Sequence, residues 1–233
     1  LGSLNLAANL LHFRANGYQL EGTAGSSLIF FAPQPRIKVD EGLASIAAEA
    51  VGGVDGLTVE GPGGLWLKSG LSLSGGVTVT GGVLRLGTTD TGVSDPRLFL
   101  SGNTLRLSNG GLEIYADSSA NSNVGTGRIA VEGESFIKTF RTDTGAAATI
   151  GTSLGALGVT MNGQLTWDVA GNTLTANTTT TNLGLTLGPV TLAGPSTFVT
   201  TGDGVRNTYT YIGAVQEEGG AQSFTKSGGG SLR

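Results

Sequence analysis

Residues 57–86 read LTVEGPGGLWLKSGLSLSGGVTVTGGVLRL, and this stretch decides the fold. Apolar residues alternate with other residues in short runs, and glycine-rich punctuation separates one run from the next. The runs are Leu57-x-Val59, Leu65-x-Leu67, Leu71-x-Leu73, Val77-x-Val79 and Leu84-x-Leu86. Because alternation with a period of two places every second side chain on the same side of a strand, the stretch predicts short β-strands that each bury one face.

The spacing of the turns separates this pattern from that of an ordinary β-sandwich. Turn signals in sandwiches recur at about 8–12 residues, whereas here a turn follows every strand of three to five residues. Such short strands fit the sides of a parallel β-helix with rungs of roughly 20–25 residues. With strands stacked about 4.8 Å apart, some ten rungs would form a rod about 50 Å long. The sequence therefore predicts an all-β solenoid with short strands and glycine-rich turns.

The same alternation continues outside the deciding stretch, as in Leu98-x-Leu100, Leu105-x-Leu107 and Ile129-x-Val131. Only Gly42–Val51 carries an apolar pattern that a short helix could use. We therefore expect a nearly all-β chain, with this segment as the single candidate helix.

Composition excludes several classes of function. The 233 residues carry a net charge of −4 with 13% charged residues, so the chain has no basic surface of the kind that binds nucleic acid. It contains no cysteine and a single histidine, His12, which excludes disulfides and thiolate metal sites. No apolar run approaches the length of a membrane span. A neutral surface rich in Thr, Ser, Asn and Gly is typical of an extracellular β-rich protein.

One phrase occurs twice, as GLWLKSG at residues 64–70 and as SFTKSGGGSLR at residues 223–233. A recurring apolar-x-Lys-Ser-Gly phrase predicts one repeated structural unit. We expect a single β-helical segment of a larger polypeptide, with a first unit at 1–87, a divergent middle at 88–182 and the start of a second unit at 183–233. The chain begins and stops within strand-like alternation, which favours the interpretation as a segment.

The span from Leu4 to Gly87 resembles the autotransporter-associated β-strand repeat of bacterial surface passenger domains. The likeness rests on the strand phrase at 17–22, the turn at 52–57 and the run GLWLKSGLSLSG at 64–75, which closes with GVTVTGGVLRLG at 76–87. A weaker second copy starts near Leu183. The repeat family carries an Asn-Thr-Tyr-Thr-Gly-Gly-Thr-like phrase after the Leu-x-Leu-Ser strand, whereas here Ser74 runs directly into Gly75.

This resemblance implies a right-handed parallel β-helix and a location at the cell surface or outside the cell. It does not imply a ligand, because such rods carry many functions. The expected function is a non-enzymatic stalk, surface coat or filament subunit that serves adhesion or fibre formation. The expected partners are further copies of the chain, stacked end to end or laterally, or a glycan of a host or surface, with no nucleic acid and no membrane.

The rival class is a β-helical carbohydrate-active enzyme, which needs carboxylates clustered on one outer face. Glu132 and Glu134 are the best candidates, because residues i and i+2 of a strand share a face, with Lys138 and Arg141 nearby. The alternative interpretation is a solvated outer face. The adjacent pairs Asp40-Glu41 and Glu217-Glu218 are predicted to be solubilising charges in turns. No catalytic, cofactor-binding or metal-binding residue is predicted.

Aromatic side chains define a third possibility, a carbohydrate-binding module. If Leu65 and Leu67 face inward, Trp66 faces outward and can stack on a sugar or contact a neighbouring chain. Tyr209 and Tyr211 complete the predicted interaction surface. Trp167, in Leu165-x-Trp167-x-Val169, is predicted to be core, and His12 is expected to face outward between two inward side chains.

Overall fold

The computed structural model describes residues 4–6, 9–22, 26–31, 33–47, 50–53, 55–68, 70–73, 75–87, 103–116, 122–123, 127–141, 149–168, 182–201 and 207–233. Within these residues every regular element is a β-strand, and 25 strands follow one another along the chain. The described part accordingly contains no helix of the length and apolarity needed to cross a membrane.

The strands, numbered along the chain, stack on three faces. Face A contains β2 (Leu10–Phe13), β5 (Arg36–Val39), β8 (Leu57–Glu60), β11 (Val77–Thr80), β13 (Thr104–Ser108), the first halves of β16 (Arg128–Arg141) and β18 (Val159–Asp168), β20 (Val190–Leu192) and β23 (Val215–Glu217). Face B contains β3 (Gln19–Glu21), β6 (Leu43–Ala47), β9 (Gly64–Leu67), β12 (Val83–Leu86), β14 (Gly111–Ala116), the second halves of β16 and β18, β21 (Ser196–Thr201) and β24 (Phe224–Gly228). Face C contains β1 (Leu4–Leu6), β4 (Ser27–Phe30), β7 (Ala50–Gly53) and β10 (Gly70–Leu73) in one sheet, and β15 (Ser122–Asn123), β17 (Thr149–Leu154), β19 (Asn182–Leu187), β22 (Asn207–Ile212) and β25 (Ser231–Leu232) in another.

Consecutive strands of a face pair in parallel and in register. On face A, Leu57 pairs with Val77 and Val77 with Leu105, so apolar residues meet apolar residues from rung to rung. The chain returns to the same face once per rung, as a parallel pairing requires. The parallel β-helix predicted from the sequence is therefore confirmed.

The rungs differ in length. The rungs around the deciding stretch are short, since Leu57 pairs with Val77 and Gly64 pairs with Val83. In the middle and C-terminal parts the rungs grow, and the one that joins Thr149 to its partner Asn182 is longer by more than half. The expected rung length thus holds near the deciding stretch, and other rungs are longer because residues are added between their strands.

The helix considered for Gly42–Val51 is not formed, and this prediction was wrong. The segment contributes β6 and the start of β7. Ala44 and Ile46 are fully buried and pair with Leu65 and Leu67 of the next rung. Neighbouring strands on both sides offer backbone partners in register, and this pairing outweighs the local preference of the alanines for a helix.

The core consists of columns of inward side chains that run along the rod. One column on face A contains Leu57, Val77, Leu105, Ile129, Val159 and Val190, all of which are buried. A column on face B contains Ala44, Leu65, Leu84, Leu112, Ile137 and Trp167. Since Trp167 is only 3% exposed, its prediction as a core residue is confirmed.

The interior becomes more polar toward the C-terminal half. Below Trp167 the face B column continues with Thr200, and Thr210 faces the interior from face C. The indole nitrogen of Trp167 and the hydroxyls of Thr200 and Thr210 are buried and have no hydrogen-bond partner among the described residues. Because an unsatisfied buried polar group costs about 1–3 kcal/mol, these three groups reduce the stabilisation that this half of the core provides.

The corner between face A and face B is built from backbone with positive φ. Eight of the nine described corners contain such a residue, and the series is Gly17, Gly42, Gly61, Gly81, Asn109, Gly133, Gly163 and the pair Gly219 and Gly220. The left-handed region turns the chain sharply, and among L-residues glycine and asparagine enter it most readily. This repeated corner explains why β16 and β18 pass from one face to the next without a break.

One corner shows how consecutive rungs are locked together. Asn109 has φ 49°, and its side-chain oxygen accepts a 3.0 Å hydrogen bond from the backbone N–H of Glu134. The carboxamide lies directly over Gly133 of the next rung, where an added Cβ would overlap it. Gly133 is therefore fixed both by its φ of 64° and by the space that Asn109 occupies.

The phrase that occurs twice starts on face B in both places, in β9 and in β24, but at different positions of the strand. Ser227 falls in the column that contains Gly64, Val83 and Gly111. Lys68 comes after the column residue of its rung, Gly64, whereas Lys226 comes directly before the column residue of its rung, Ser227. The repeated residues are thus used in two registers of the same face.

Gly81 and Gly133 occupy the corner between faces A and B in different rungs, and they allow the cost of backbone strain to be measured apart from that of packing. Gly81 and Gly133 have φ values of 71° and 64°, but only Gly133 has an atom close to an added Cβ. We expect Gly81→Ala to cost about 1–2 kcal/mol from strain alone. Gly133→Ala should cost about 1 kcal/mol more, because it displaces Asn109 and breaks its hydrogen bond. Urea unfolding followed by circular dichroism gives both values, and equal values would contradict this corner geometry.

Candidate functional site

Ion pairs join several consecutive rungs on face A. Arg36 contacts Glu60 at 3.4 Å, and Arg106 contacts Glu132. At the N-terminal end the His12 Nε2 atom lies 2.8 Å from Asp40, so His12 faces outward as predicted. These pairs join residues that are 24–28 positions apart in the sequence.

Face B carries a ladder of directly opposed outward residues. We call it the face B ladder, and its members are Trp66, Arg85, Glu113, Lys138, Asp168 and Thr201. Arg85 contacts Glu113 at 2.6 Å and Lys138 contacts Asp168 at 3.3 Å. The hydroxyl of Thr201 donates to Asp168 at 2.9 Å. Opposite charges thus alternate along the rod axis, an arrangement that favours cross-strand pairing.

Trp66 faces outward, as expected from its buried neighbours Leu65 and Leu67, but it is only partly exposed. Its indole N–H donates a 2.7 Å hydrogen bond to the carbonyl of Gly87 in the next rung. The cations of Lys68 and Arg85 lie 4.8 and 5.5 Å from its ring centre. These contacts tie Trp66 into its own surface and leave less of the ring for a ligand.

Tyr209 and Tyr211 lie on the outward side of β22 on face C, and Tyr211 is 42% exposed. The guanidinium of Arg233 stacks 4.3 Å from the ring centre of Tyr209 and 5.9 Å from that of Tyr211. Trp66 belongs to β9 on face B, so the structure does not bring the three aromatic residues into one surface.

The carboxylates suggested for an enzyme do not share a face. Gly133 turns the chain between Glu132 and Glu134, and Glu132 stays on face A in contact with Arg106. Glu134 lies on the face B side of the corner. The expectation of a common face fails because the i, i+2 rule holds only for a strand without a positive-φ residue inside it. The side chain of Arg141 lies outside the described residues.

A groove on face B does gather two of the suggested residues, Glu134 and Lys138. Its volume is about 520 Å³, and residues of four consecutive rungs line it. The lining residues are Glu113, Glu134, Ser135, Phe136, Lys138, Gln164, Thr166, Asp168 and Thr201. We call this the face B groove. Its volume falls in the range of small-ligand sites, which is about 300–1,000 Å³.

Comparisons of the chain with protein-family models, with curated proteins and with solved structures found no match. Among the described residues, no group of three or more His, Asp or Glu side chains is placed to hold a metal ion.

Sequence reasoning missed Phe136 and Gln164, which occupy the groove next to the suggested charges. No sequence pattern marked them as groove residues, because Phe136 is a single residue of the long strand β16 and Gln164 is a single residue of the long strand β18. It also assigned Asp40 to a solubilising turn, whereas Asp40 pairs with His12 of the preceding rung and with Lys38. The groove and the contact between Asp40 and His12 each join residues of different rungs, and the sequence does not show which residues of neighbouring rungs meet.

Among the described residues, Asp40 and Lys226 have shifted pKa values. The hydrogen bond from Lys38, assisted by His12, lowers the pKa of Asp40 below its ordinary value. Burial lowers the pKa of Lys226, whose ammonium group donates to the carbonyls of Ser227, Gly228 and Gly229 at 2.7, 3.2 and 3.0 Å.

The Asp40 carboxyl gives a test by titration. Because its pKa in the folded state lies below its unfolded value of about 3.9, it contributes stability above that pH, and the contribution is lost as pH falls through the folded pKa. We expect Lys38→Met to raise the Asp40 pKa, measured by carboxyl-carbon NMR, while Lys68→Met leaves it unchanged. An unchanged Asp40 pKa in the Lys38 variant would exclude the contact.

Two Arg–Glu pairs allow a matched test of burial. The side chains of Arg85 and Glu113 are 20% and 12% exposed, and those of Arg106 and Glu132 are 46% and 43% exposed. We expect Glu113→Gln to destabilise the fold by about 1–3 kcal/mol. Glu132→Gln should cost less than about 1 kcal/mol, since solvent screens the outer pair. Thermal unfolding of both variants at the same salt concentration measures the two losses of stability. A larger loss in Glu132→Gln than in Glu113→Gln would contradict this effect of burial.

Proposed function

We propose that this chain is a non-enzymatic structural segment, a stalk, surface coat or filament subunit of an extracellular bacterial surface protein. The observation that carries the proposal is the use of charge. Along faces A and B several charged side chains pair from one rung to the next, as in Arg85–Glu113 and Lys138–Asp168. Such pairs strengthen a rod along its length, whereas a catalytic centre concentrates unpaired groups at one place.

Surface chemistry supports an extracellular role. The outward residues between the ion pairs are largely hydroxyl side chains, such as Thr58, Thr78 and Thr80 in neighbouring rungs. The chain has no cysteine and few charges, which suits a long polypeptide that crosses an envelope unfolded and folds outside. Adhesion or fibre formation follows naturally from a rod with a uniform, repeating surface.

Self-association, end to end or lateral, is part of the proposal. Parallel strands at the end of a stack offer backbone N–H and C=O groups to a further strand, and identical chains can supply it in a contact that does not close. Light scattering of the purified chain over a hundredfold range of concentration tests this part, and a constant monomer mass would exclude it.

A carbohydrate-active enzyme is the second candidate, because the face B groove collects Glu113, Glu134, Lys138 and Asp168. Acid–base hydrolysis of a glycan uses two carboxyl groups. Incubation of the chain with neutral and acidic polysaccharides, followed by an assay for new reducing ends, separates the candidates. We expect no new reducing ends above those of a blank without protein. New reducing ends that disappear in Glu134→Gln would establish the enzyme.

Labelling of intact cells tests whether the chain lies outside the cell, as the proposal requires. Antibodies raised against residues 1–233 should label intact cells that produce the protein, and brief protease treatment of those cells should remove the signal. Labelling that requires permeabilised cells would contradict an extracellular role. A cytoplasmic marker, labelled only after permeabilisation, is the control for cell integrity.

A further inference from the structure

We infer that the face B groove binds an uncharged glycan chain that lies along the rod axis. The inference does not depend on the proposed location of the protein, since it follows from the lining of the groove. It concerns residues other than Trp66, Tyr209 and Tyr211, whose rings contact cations of the chain itself.

The floor of the groove is an aromatic ring. Phe136 faces outward from β16 and follows Gly111 in the same column, with Thr166 and Val199 below it. A side chain on Gly111 would overlap the Phe136 ring, so the ring lies across the glycine of the preceding rung. The absence of a side chain at Gly111 thus lets Phe136 lie down along the axis and present an apolar surface at the bottom of the groove.

Polar columns form both walls. On one side Glu134 is opposite Gln164, and on the other side Glu113, Lys138 and Asp168 follow one another. These groups already contact one another, since the Gln164 amide donates to the Thr166 hydroxyl at 3.2 Å and Lys138 contacts Asp168. Their oxygens can accept, and their remaining N–H groups can donate, further hydrogen bonds to sugar hydroxyls. A pyranose ring has apolar C–H faces and hydroxyl groups at its rim, so it matches an aromatic floor between polar walls.

The groove is long enough for a short glycan. Its lining comes from β14, β16, β18 and β21, which are four consecutive rungs. Three steps of about 4.8 Å give a length of about 14 Å. Sugar units of an extended glycan recur at a similar spacing, so a glycan along the axis would place successive units beside successive rungs, with one unit over Phe136.

Charge selects an uncharged glycan over an acidic one. Among the described residues that line the groove are the carboxylates Glu113, Glu134 and Asp168 and one cation, Lys138. Arg85 balances Glu113, and Lys138 contacts Asp168, which leaves Glu134 as the excess charge in the groove. A uronic acid or sulfated polymer would be repelled by this excess, whereas hydroxyl and acetamido groups would not.

The test uses the purified chain and four tetrasaccharides, which are those of β-1,4-glucose, α-1,4-glucose, N-acetylglucosamine and galacturonic acid. NMR of the amide signals should show shifts at Phe136, Gln164 and Thr166 with at least one of the three uncharged probes and none with the acidic one. Binding of only the acidic probe, shifts confined to other faces, or no shift at millimolar probe would overturn the inference.

Variants separate the groove from a general loss of fold. We expect Phe136→Ala and Gln164→Ala each to weaken binding at least about tenfold, and Phe136→Trp to retain or tighten it because the ring is larger. Thr78→Ala on face A is the matched control and should bind normally. If Phe136→Ala unfolds, Phe136→Trp and Gln164→Ala still test the proposed binding site. Unchanged affinity in Gln164→Ala together with lost affinity in Phe136→Trp would contradict the described floor and wall.

Discussion

Parallel strands of successive rungs share backbone hydrogen bonds across about 4.8 Å, and the rest of the structure depends on this in-register pairing. Pairing brings residue types into columns, so that Leu65 meets Leu84 inside while Trp66 meets Arg85 outside. A column of aliphatic residues buries its side chains only because the rungs above and below contribute the same chemistry at the same position. Stability is therefore a property of neighbouring rungs and not of a single rung.

The corner between faces A and B supports this pairing by fixing the phase of each rung. If the corner at Gly133 lost its positive φ, the residues that follow would change direction, and Glu134 and Phe136 would leave their columns. Asn109 uses its side chain to reach the N–H of Glu134 in the next rung, so that the corner also holds the rungs together. The groove on face B lies beside this corner and depends on its geometry.

Local patterns allowed a large part of the fold to be predicted, because alternation reports which side chains face inward without knowledge of their neighbours. Leu65, Leu67 and Trp167 were placed correctly for this reason. The partners across rungs could not be predicted, since the rungs differ widely in length and no local signal gives the length of any one of them. The pair Arg85–Glu113 and the groove around Phe136 therefore required the structure, and the Gly133 corner separated two glutamates that simple alternation puts together.

The absence of cysteine allows the stacking itself to be measured with pairs of spin labels. Thr58, Thr160, Thr191 and Gln216 lie in one outward column of face A, and the last three belong to consecutive rungs. With one label at residue 58, electron–electron resonance should give mean distances that increase by about 4.8 Å from label 160 to 191 and again from 191 to 216. Equal steps would support the in-register solenoid. Steps that follow the sequence separation, or distributions too broad to define a step, would contradict it.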